Sequence, residues 1–175
     1  SGERSLGPFV HPMLGLEAML YGKPYPGKAL YAGAGNPVVT IQDSRKVWQA
    51  LQKLELLVVA EYFMTPTAEL ADYVLPATTW LEKDELVDIY SSQYTNLIAA
   101  GQKVLEPLYE CRDDREMVLD LLDRLQWADR EVVPWKTVDE LNEAIVEGTG
   151  LSFGDLQKMG YLVEPLRYRK YEENG

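Results

Sequence analysis

The order of apolar and polar positions divides the chain into short segments of two different periods. Lys28-Ala29-Leu30-Tyr31-Ala32 is a near-continuous apolar run suited to a buried strand, and it stops in Gly33-Ala34-Gly35-Asn36-Pro37. Val47, Trp48, Leu51 and Leu54 recur at helical spacing, which predicts an amphipathic helix over 43–54 with Asp43 or Ser44 as its cap. Leu56-Leu57-Val58-Val59-Ala60 is a second strand-like run. After Glu61-Tyr62-Phe63-Met64-Thr65, Pro66 stands at the first position of a short helix running to Asp72, with Thr65 as its cap. Tyr73-Val74-Leu75 makes a third, very short strand stopped by Pro76. Strand, helix, strand, helix, strand, with near-continuous apolar strands, predicts a parallel sheet covered on both faces.

Outside this core the periodicity is uneven. Gly22-Lys23-Pro24-Tyr25-Pro26-Gly27 is rich in turn formers, residues 77–90 alternate poorly, and 93–105 has room for one or two strands around Thr95-Asn96-Leu97-Ile98. Asp113 with Glu116 three residues later resembles a capping box, and Val118, Leu121, Leu122 and Leu125 form one apolar stripe, so a helix is expected over 113–127. Val138, Leu141 and Ile145, ended by Gly148, suggest another helix; Ser152 to Met159 suggests a shorter one, and the tail after Glu164 reads as extended. Three spans follow: an opening segment over 1–27, an α/β nucleotide-binding domain over 28–130, and a helical extension and linker over 131–175.

Composition narrows the chemistry. At 175 residues and 46% hydrophobic content, a folded chain buries roughly two thirds of the surface it exposes when unfolded. The net charge of −11 is uneven: residues 1–60 carry six Lys/Arg against four Asp/Glu, while 106–147 carry five against thirteen. Such a balance argues against nucleic-acid binding, whose affinity comes from phosphate neutralisation by basic side chains. No apolar run approaches the length of a membrane span, and Ser1 to Leu20 has neither a basic start with an apolar stretch nor a small-residue cleavage site. Cys111 is the only cysteine and His11 the only histidine, so no cysteine cluster, cysteine–histidine zinc site or supported Cys–His dyad can be assembled from this chain. The abrupt ends, Ser1-Gly2-Glu3 and Arg169-Lys170-Tyr171-Glu172-Glu173-Asn174-Gly175, read as those of a piece of something longer.

In a parallel sheet the ligand crevice lies beyond the carboxyl ends of the strands. The loops Gly33–Pro37, Glu61–Thr65 and Pro76–Trp80 qualify. Gly33 and Gly35 let the backbone approach a flat or anionic ligand, Asn36 offers a donor and an acceptor, and Pro37 stiffens the turn. Taken alone this is weak, since the third glycine of a dinucleotide fingerprint is missing and a Gly-rich strand-to-helix turn is more often only a tight turn. Glu61, directly after the second strand, stands where a carboxylate reads a nucleotide. It can accept from two ribose hydroxyls or from the N1–H and N2–H2 donors of guanine; the bland alternative is a solvated loop acid or a helix cap. Asp43 and Asp72 have capping or helix-end explanations. The expected fold class is therefore α/β, three-layered, with a mainly parallel sheet of Rossmann-like nucleotide-binding topology plus C-terminal helices.

Gly35-Asn36-Pro37, then Leu57 through Ala68, then Ala71-Asp72-Tyr73-Val74-Leu75-Pro76 and Glu82 resemble, in order and spacing over about a hundred residues, the third domain of the molybdopterin oxidoreductases of the dimethyl sulfoxide reductase family. Gly22-Lys23-Pro24-Tyr25-Pro26 and the stretch from Leu105-Glu106-Pro107 to Leu125 also look like that family. The chain departs from the family pattern at Pro66, where Glu is usual, at Asp84-Glu85-Leu86-Val87-Asp88, where a Gly and an Asn are usual, and at Arg115, where Trp is frequent.

The resemblance implies a domain that holds one molybdopterin guanine dinucleotide by its guanosine and phosphates. Gly33, Gly35, Asn36 and Pro37 would sit against the nucleotide, Glu61 would accept from guanine, and Phe63 and Thr65 would lie nearby. The molybdenum ligand and the iron–sulfur cysteines belong to other parts of such enzymes, so no catalytic residue and no metal ligand is expected here. The isolated chain is then expected to hold no cofactor and to be inert. Its partners are expected to be the parent's remaining domains, with redox subunits as further candidates and no nucleic acid or membrane contact. Exposed Tyr62, Phe63, Met64 and Trp80, with Tyr168 and Tyr171 of the tail, suggest self-association of a chain lacking those neighbours. Cys111 is read as a structural or incidental thiol and His11 as a surface or interface residue. An NAD-type dinucleotide-binding domain, or a metal-free structural homologue of the same family, are the alternatives.

Overall fold

A computed structural model describes residues 11–87, 97–126 and 133–163. The expected extended tail after Glu164, with Tyr168 and Tyr171, and the Thr95-Asn96 part of an expected strand lie outside the described residues. The chain divides into two compact units, Ser1–Ala77 and Thr78–Gly175.

The first unit is built on a parallel sheet in the order β1 (Ala29–Gly33), β2 (Leu56–Glu61), β3 (Tyr73–Pro76). Its register pairs Leu30 with Leu57, Ala32 with Val59 and Val59 with Val74, so these residues share one face. That face is covered by α1 (Pro12–Tyr21), α2 (Pro37–Thr40) and α3 (Ser44–Leu51), whose Leu16, Val38, Val47, Ala50 and Leu51 close the core over Ala32, Leu57 and Val59. Helix α3 begins where expected: Asp43 takes a left-handed conformation (φ 61°) and its Oδ1 accepts from the Lys46 N–H at 3.1 Å. Val47, Leu51 and Leu54 turn inward, whereas Trp48 lies off that face and stays exposed.

Three expectations need correction. The opening segment holds helix α1, which no expectation named, because its residues are apolar but for Glu17 and show no amphipathic period. The helix expected from Pro66 to Asp72 shrinks to a single 3-10 turn, Ala68–Leu70, because Asp72 is taken up by the sheet: its N–H donates to the Leu57 carbonyl and its Oδ2 accepts from the Leu57 N–H at 2.7 Å. The opposite face of the sheet is only partly covered among the described residues: Ala60 on it is buried, while Leu56 and Tyr73 remain 38% and 64% exposed.

The second unit adds an antiparallel sheet, β4 (Glu85–Val87), β5 (Leu97–Gly101) and β6 (Tyr161–Val163), in that order, of which only β5 falls where a strand was expected, within 93–105. The fold is thus mixed α/β with one parallel and one antiparallel three-stranded sheet, rather than mainly parallel. Helices α4 (Asp114–Arg124), α5 (Val138–Val146) and α6 (Phe153–Met159) match the expected positions to within a few residues. Ser152 and Asp155 form a reciprocal capping box at α6, whose Phe153 and Leu156 bury with Val146 against Ile98, Ala100 and Leu162. Among the described residues no helix is long and apolar enough to cross a membrane.

Candidate functional site

Parallel strands deliver their carboxyl ends to one edge, so the loops after β1, β2 and β3 begin side by side. Gly33 pairs with Ala60, and Glu61 with Pro76, at that edge. In the first loop the left-handed residue is Ala34 (φ 53°), between the two glycines, rather than either glycine. A side chain at Gly33 would meet the Tyr31 ring at 3.3 Å, while one at Gly35 would find ordinary contact with the Gly33 carbonyl at 3.8 Å. Asn36 then caps the short α2, and Pro37 occupies that helix's first position.

The first two loops are tied together by a residue the sequence reading passed over. Thr67 is fully buried, and its Oγ1 accepts from the Val38 N–H at 3.1 Å and donates to Asn36 Oδ1 at 2.6 Å. Nothing in the hydrophobic pattern marks it, because a threonine beside Pro66 reads as turn material. Glu61, half-exposed at the end of β2, accepts from the Tyr62 N–H through Oε1 at 2.8 Å. Thr65 Oγ1 accepts from the Ala68 N–H at 3.3 Å, although the helix it was expected to cap is only the 3-10 turn Ala68–Leu70 with Thr67 at its cap position, and it keeps its own hydroxyl proton to give. Tyr62, Phe63 and Met64 form an exposed apolar run beside Glu61, with the Tyr62 and Phe63 rings edge to face. Trp80, expected on the third loop, is also exposed but belongs to the second unit.

The edge therefore offers a carboxylate that can only accept, an amide, a hydroxyl and exposed aromatic surface. This set suits a nucleotide base and its polar substituents.

Two other singled-out residues have local duties. His11, exposed, accepts from the Met13 N–H through Nδ1 at 3.3 Å and caps α1. Cys111 is a free, half-buried thiol on the loop before α4. Among the described residues no group of three or more His, Cys, Asp or Glu is placed to hold a metal ion.

In the second unit Glu82 is buried and accepts from the Thr79 N–H, the Thr79 hydroxyl and the Leu108 N–H, each at 2.8 Å. The two backbone bonds, then the hydroxyl, hold its carboxyl below the usual range. It is a staple between two loops. A cavity of about 510 Å3 beside it is lined by Lys83, Arg112, Asp113, Glu116 and Lys136 among others. Its charges are largely spent on each other: Lys83 pairs with Asp114 at 2.9 Å and Arg112 with Asp120 at 2.7 Å. Burial presses Lys83 toward neutrality, but Asp114, with Asp113 and Glu85, more than offsets this and raises its pKa.

Comparison with known proteins bears on the site once this geometry is in view. Residues 10–124 match the family Molybdopterin oxidoreductase. The chain is 33% identical over 156 residues to acetylene hydratase of Syntrophotalea acetylenica, covering 88% of this chain and 21% of that protein. It is 40% identical over 98 residues to the dimethyl sulfoxide/trimethylamine N-oxide reductase of Rhodobacter capsulatus, covering 56% of this chain and 12% of that one. The solved structure of acetylene hydratase from Pelobacter acetylenicus superposes with a TM-score of 0.78 at 32% identity, over 89% of this chain and 21% of that chain. The chain thus spans about a fifth or less of the length of these relatives. It belongs to the molybdopterin oxidoreductase family, and its homologues are molybdoenzymes of the dimethyl sulfoxide reductase type.

Proposed function

We propose that this chain is the part of a molybdenum or tungsten enzyme that holds the guanosine portion of a molybdopterin guanine dinucleotide. The observation that carries the reading is the carboxyl edge of the parallel sheet, where buried Thr67 locks the Asn36 loop to the segment that follows Glu61. Glu61 supplies acceptors for the guanine N1–H and N2–H2 groups; Asn36 and Thr65 supply donors, and Gly33, Gly35, Pro37 and Phe63 shape the walls. The metal carried by the pterin supplies the reaction chemistry when the whole enzyme is assembled. Relatives whose names denote a hydratase and a reductase share this portion of chain, which favours a role in holding the cofactor over one in choosing the reaction.

On this reading residues 28–130 form the nucleotide-holding domain with 131–175 leading onward, and the rest of the parent covers Tyr62, Phe63, Met64 and the open sheet face. A chain deprived of that cover is inert and self-associates through the same apolar surface.

Guanine preference tests the proposal. A carboxylate accepts two hydrogen bonds from guanine, whereas adenine turns its N1 lone pair toward the same oxygens. At about 1.5–3 kcal/mol per hydrogen bond to a charged group, the pair is worth roughly a hundredfold or more in affinity. Calorimetric titration of the chain should show GDP bound in preference to ADP, with the ratio collapsing in Glu61→Gln. Equal binding of the two, or no binding, would leave this edge as architecture and favour a structural homologue without cofactor.

A further inference from the structure

The bond between Thr67 and Asn36 decides more than loop position. An asparagine amide offers an acceptor on one side and two donors on the other, and which of them faces a ligand determines what it recognises. Thr67 settles that sense. Its hydroxyl is buried and already accepts from the Val38 N–H, so its own proton needs an acceptor. Asn36 Oδ1 is the acceptor the structure gives it, at 2.6 Å, a separation typical of O–H to O and shorter than the usual 2.9 Å of an amide N–H donor. With Oδ1 committed, the Asn36 Nδ2 group has no partner among the described residues, and Asn36 itself is only half-buried.

We propose that Thr67 is a positioning residue that fixes the Asn36 amide so that this loop presents N–H donors, and never a carbonyl, to a bound nucleotide. This rests on the nucleotide reading given above and deepens it. The edge then has opposite polarity at its two ends: Glu61 offers acceptors, and Asn36, with its oxygen turned to Thr67, offers its N–H donors. A ligand must bring donors to the first and an acceptor oxygen to the second, which guanosine and its phosphates do. The acceptor that meets Asn36 is either a phosphate oxygen or an oxygen of the nucleoside.

Both the amide sense and its consequence can be measured on the full chain. In the unliganded protein, NMR of the assigned Asn36 side chain should show fast-exchanging Nδ2 protons and a Thr67 hydroxyl hydrogen-bonded to Oδ1. An Nδ2 group that donates to Thr67 Oγ1 would overturn the proposal irrespective of any ligand. GDP, guanosine and inorganic pyrophosphate are then titrated against wild type, Thr67→Ser, Thr67→Val and Asn36→Asp. Thr67→Ser keeps the hydroxyl and should bind GDP within about twofold of wild type, while Thr67→Val and Asn36→Asp should each lose about tenfold or more, the worth of one charge-assisted or well-placed hydrogen bond. Pyrophosphate binding that falls in parallel assigns the acceptor to phosphate; a loss confined to guanosine and GDP assigns it to the nucleoside. Wild-type GDP affinity in Asn36→Asp, or in a folded Thr67→Val, would overturn the proposal, as would Thr67→Ser binding as weakly as Thr67→Val. If Thr67→Val does not fold, Thr67→Ser and Asn36→Asp carry the test. Absence of GDP binding to wild type would defeat the nucleotide reading instead, and the amide sense would then be decided by the NMR measurement alone.

Discussion

Residues of the first unit are held by nine buried apolar side chains gathered on one face of a parallel sheet, whereas the described part of the second unit gathers three and sets beside them a network of charges. In that network the Arg115 guanidinium donates to Asp113, to Asn142 Oδ1 and to the Asp84 carbonyl, while Lys83 reaches Asp114 and Glu85. Arg115 thus ties α4 to the backbone at Asp84 and to Asn142 of α5 through directional bonds. The comparison shows two ways of specifying position: non-directional burial in the first unit, and paired, directional polar contacts in the second.

The largest expected effect comes from removing core atoms. Leu57→Ala, at the centre of the first cluster, and Leu156→Ala, at the centre of the second, should each cost about 2–5 kcal/mol, because both side chains are almost wholly buried. Urea unfolding followed by circular dichroism measures this. If burial matters less in the second unit, Leu156→Ala should fall at the lower end; equal losses would break the distinction drawn between the units.

Next in size is the network. Arg115→Met should cost about 1–3 kcal/mol, because it strands a mostly buried Asp113 carboxylate and leaves Asn142, fully buried and with no partner for Nδ2 among the described residues, without its Oδ1 partner as well. Acid sharpens the test. Burial pushes the Asp113 carboxyl upward, but its hydrogen bonds from Arg115 and the adjacent positive charge prevail and hold it below its ordinary value. Its contribution is therefore complete above about pH 4, the unfolded value, and is lost as pH falls through the lower folded value. The drop in urea midpoint between pH 6 and pH 3 should be smaller in Asp113→Asn than in wild type. An identical drop in both would show that this pair adds nothing to the acid response.

What could be read in advance follows the same division. Strands β1, β2 and β3 and helices α3 to α6 announce themselves through period or capping, because burial on one face leaves a repeating trace: Val47 and Leu51 do so for α3, and Ser152 with Asp155 for α6. Helix α1 leaves none, since Leu16 and Ala18 are buried within a run whose apolar residues, broken only by Glu17, do not keep to one face. Strand β4 is three residues and β6 another three, each too short for alternation to show, and each is defined by pairing with β5, whose residues lie more than sixty positions from their β6 partners along the chain. At the candidate site, the positions of Glu61 and Asn36 beyond strand ends were legible, because each directly follows or closely trails an apolar run. Thr67 was not, because its role lies in two hydrogen bonds to residues about thirty positions back, and a hydroxyl carries no sequence signature of the bond it makes.

The smallest effect separates stability from binding within the first unit. Ala34 sits at φ 53°, a conformation that costs a residue with a Cβ about 1–2 kcal/mol relative to glycine, while a glycine there loses about 0.5–1 kcal/mol through its freer unfolded chain. Ala34→Gly should therefore stabilise the chain by a few tenths to about 1 kcal/mol, read as a raised urea midpoint. The same change loosens the loop whose backbone leads into Asn36. If the loop exists only to turn the chain, GDP affinity should not follow stability in either direction. If it is a preorganised cradle, Ala34→Gly should bind GDP several-fold more weakly while unfolding later, because the ordering that alanine imposes in advance must then be supplied on binding. A variant that is both more stable and a weaker binder would place the strained residue among the functional features of the edge; greater stability with unchanged GDP affinity would assign it to architecture, and the first unit would then keep its cradle in Thr67 and Asn36 alone.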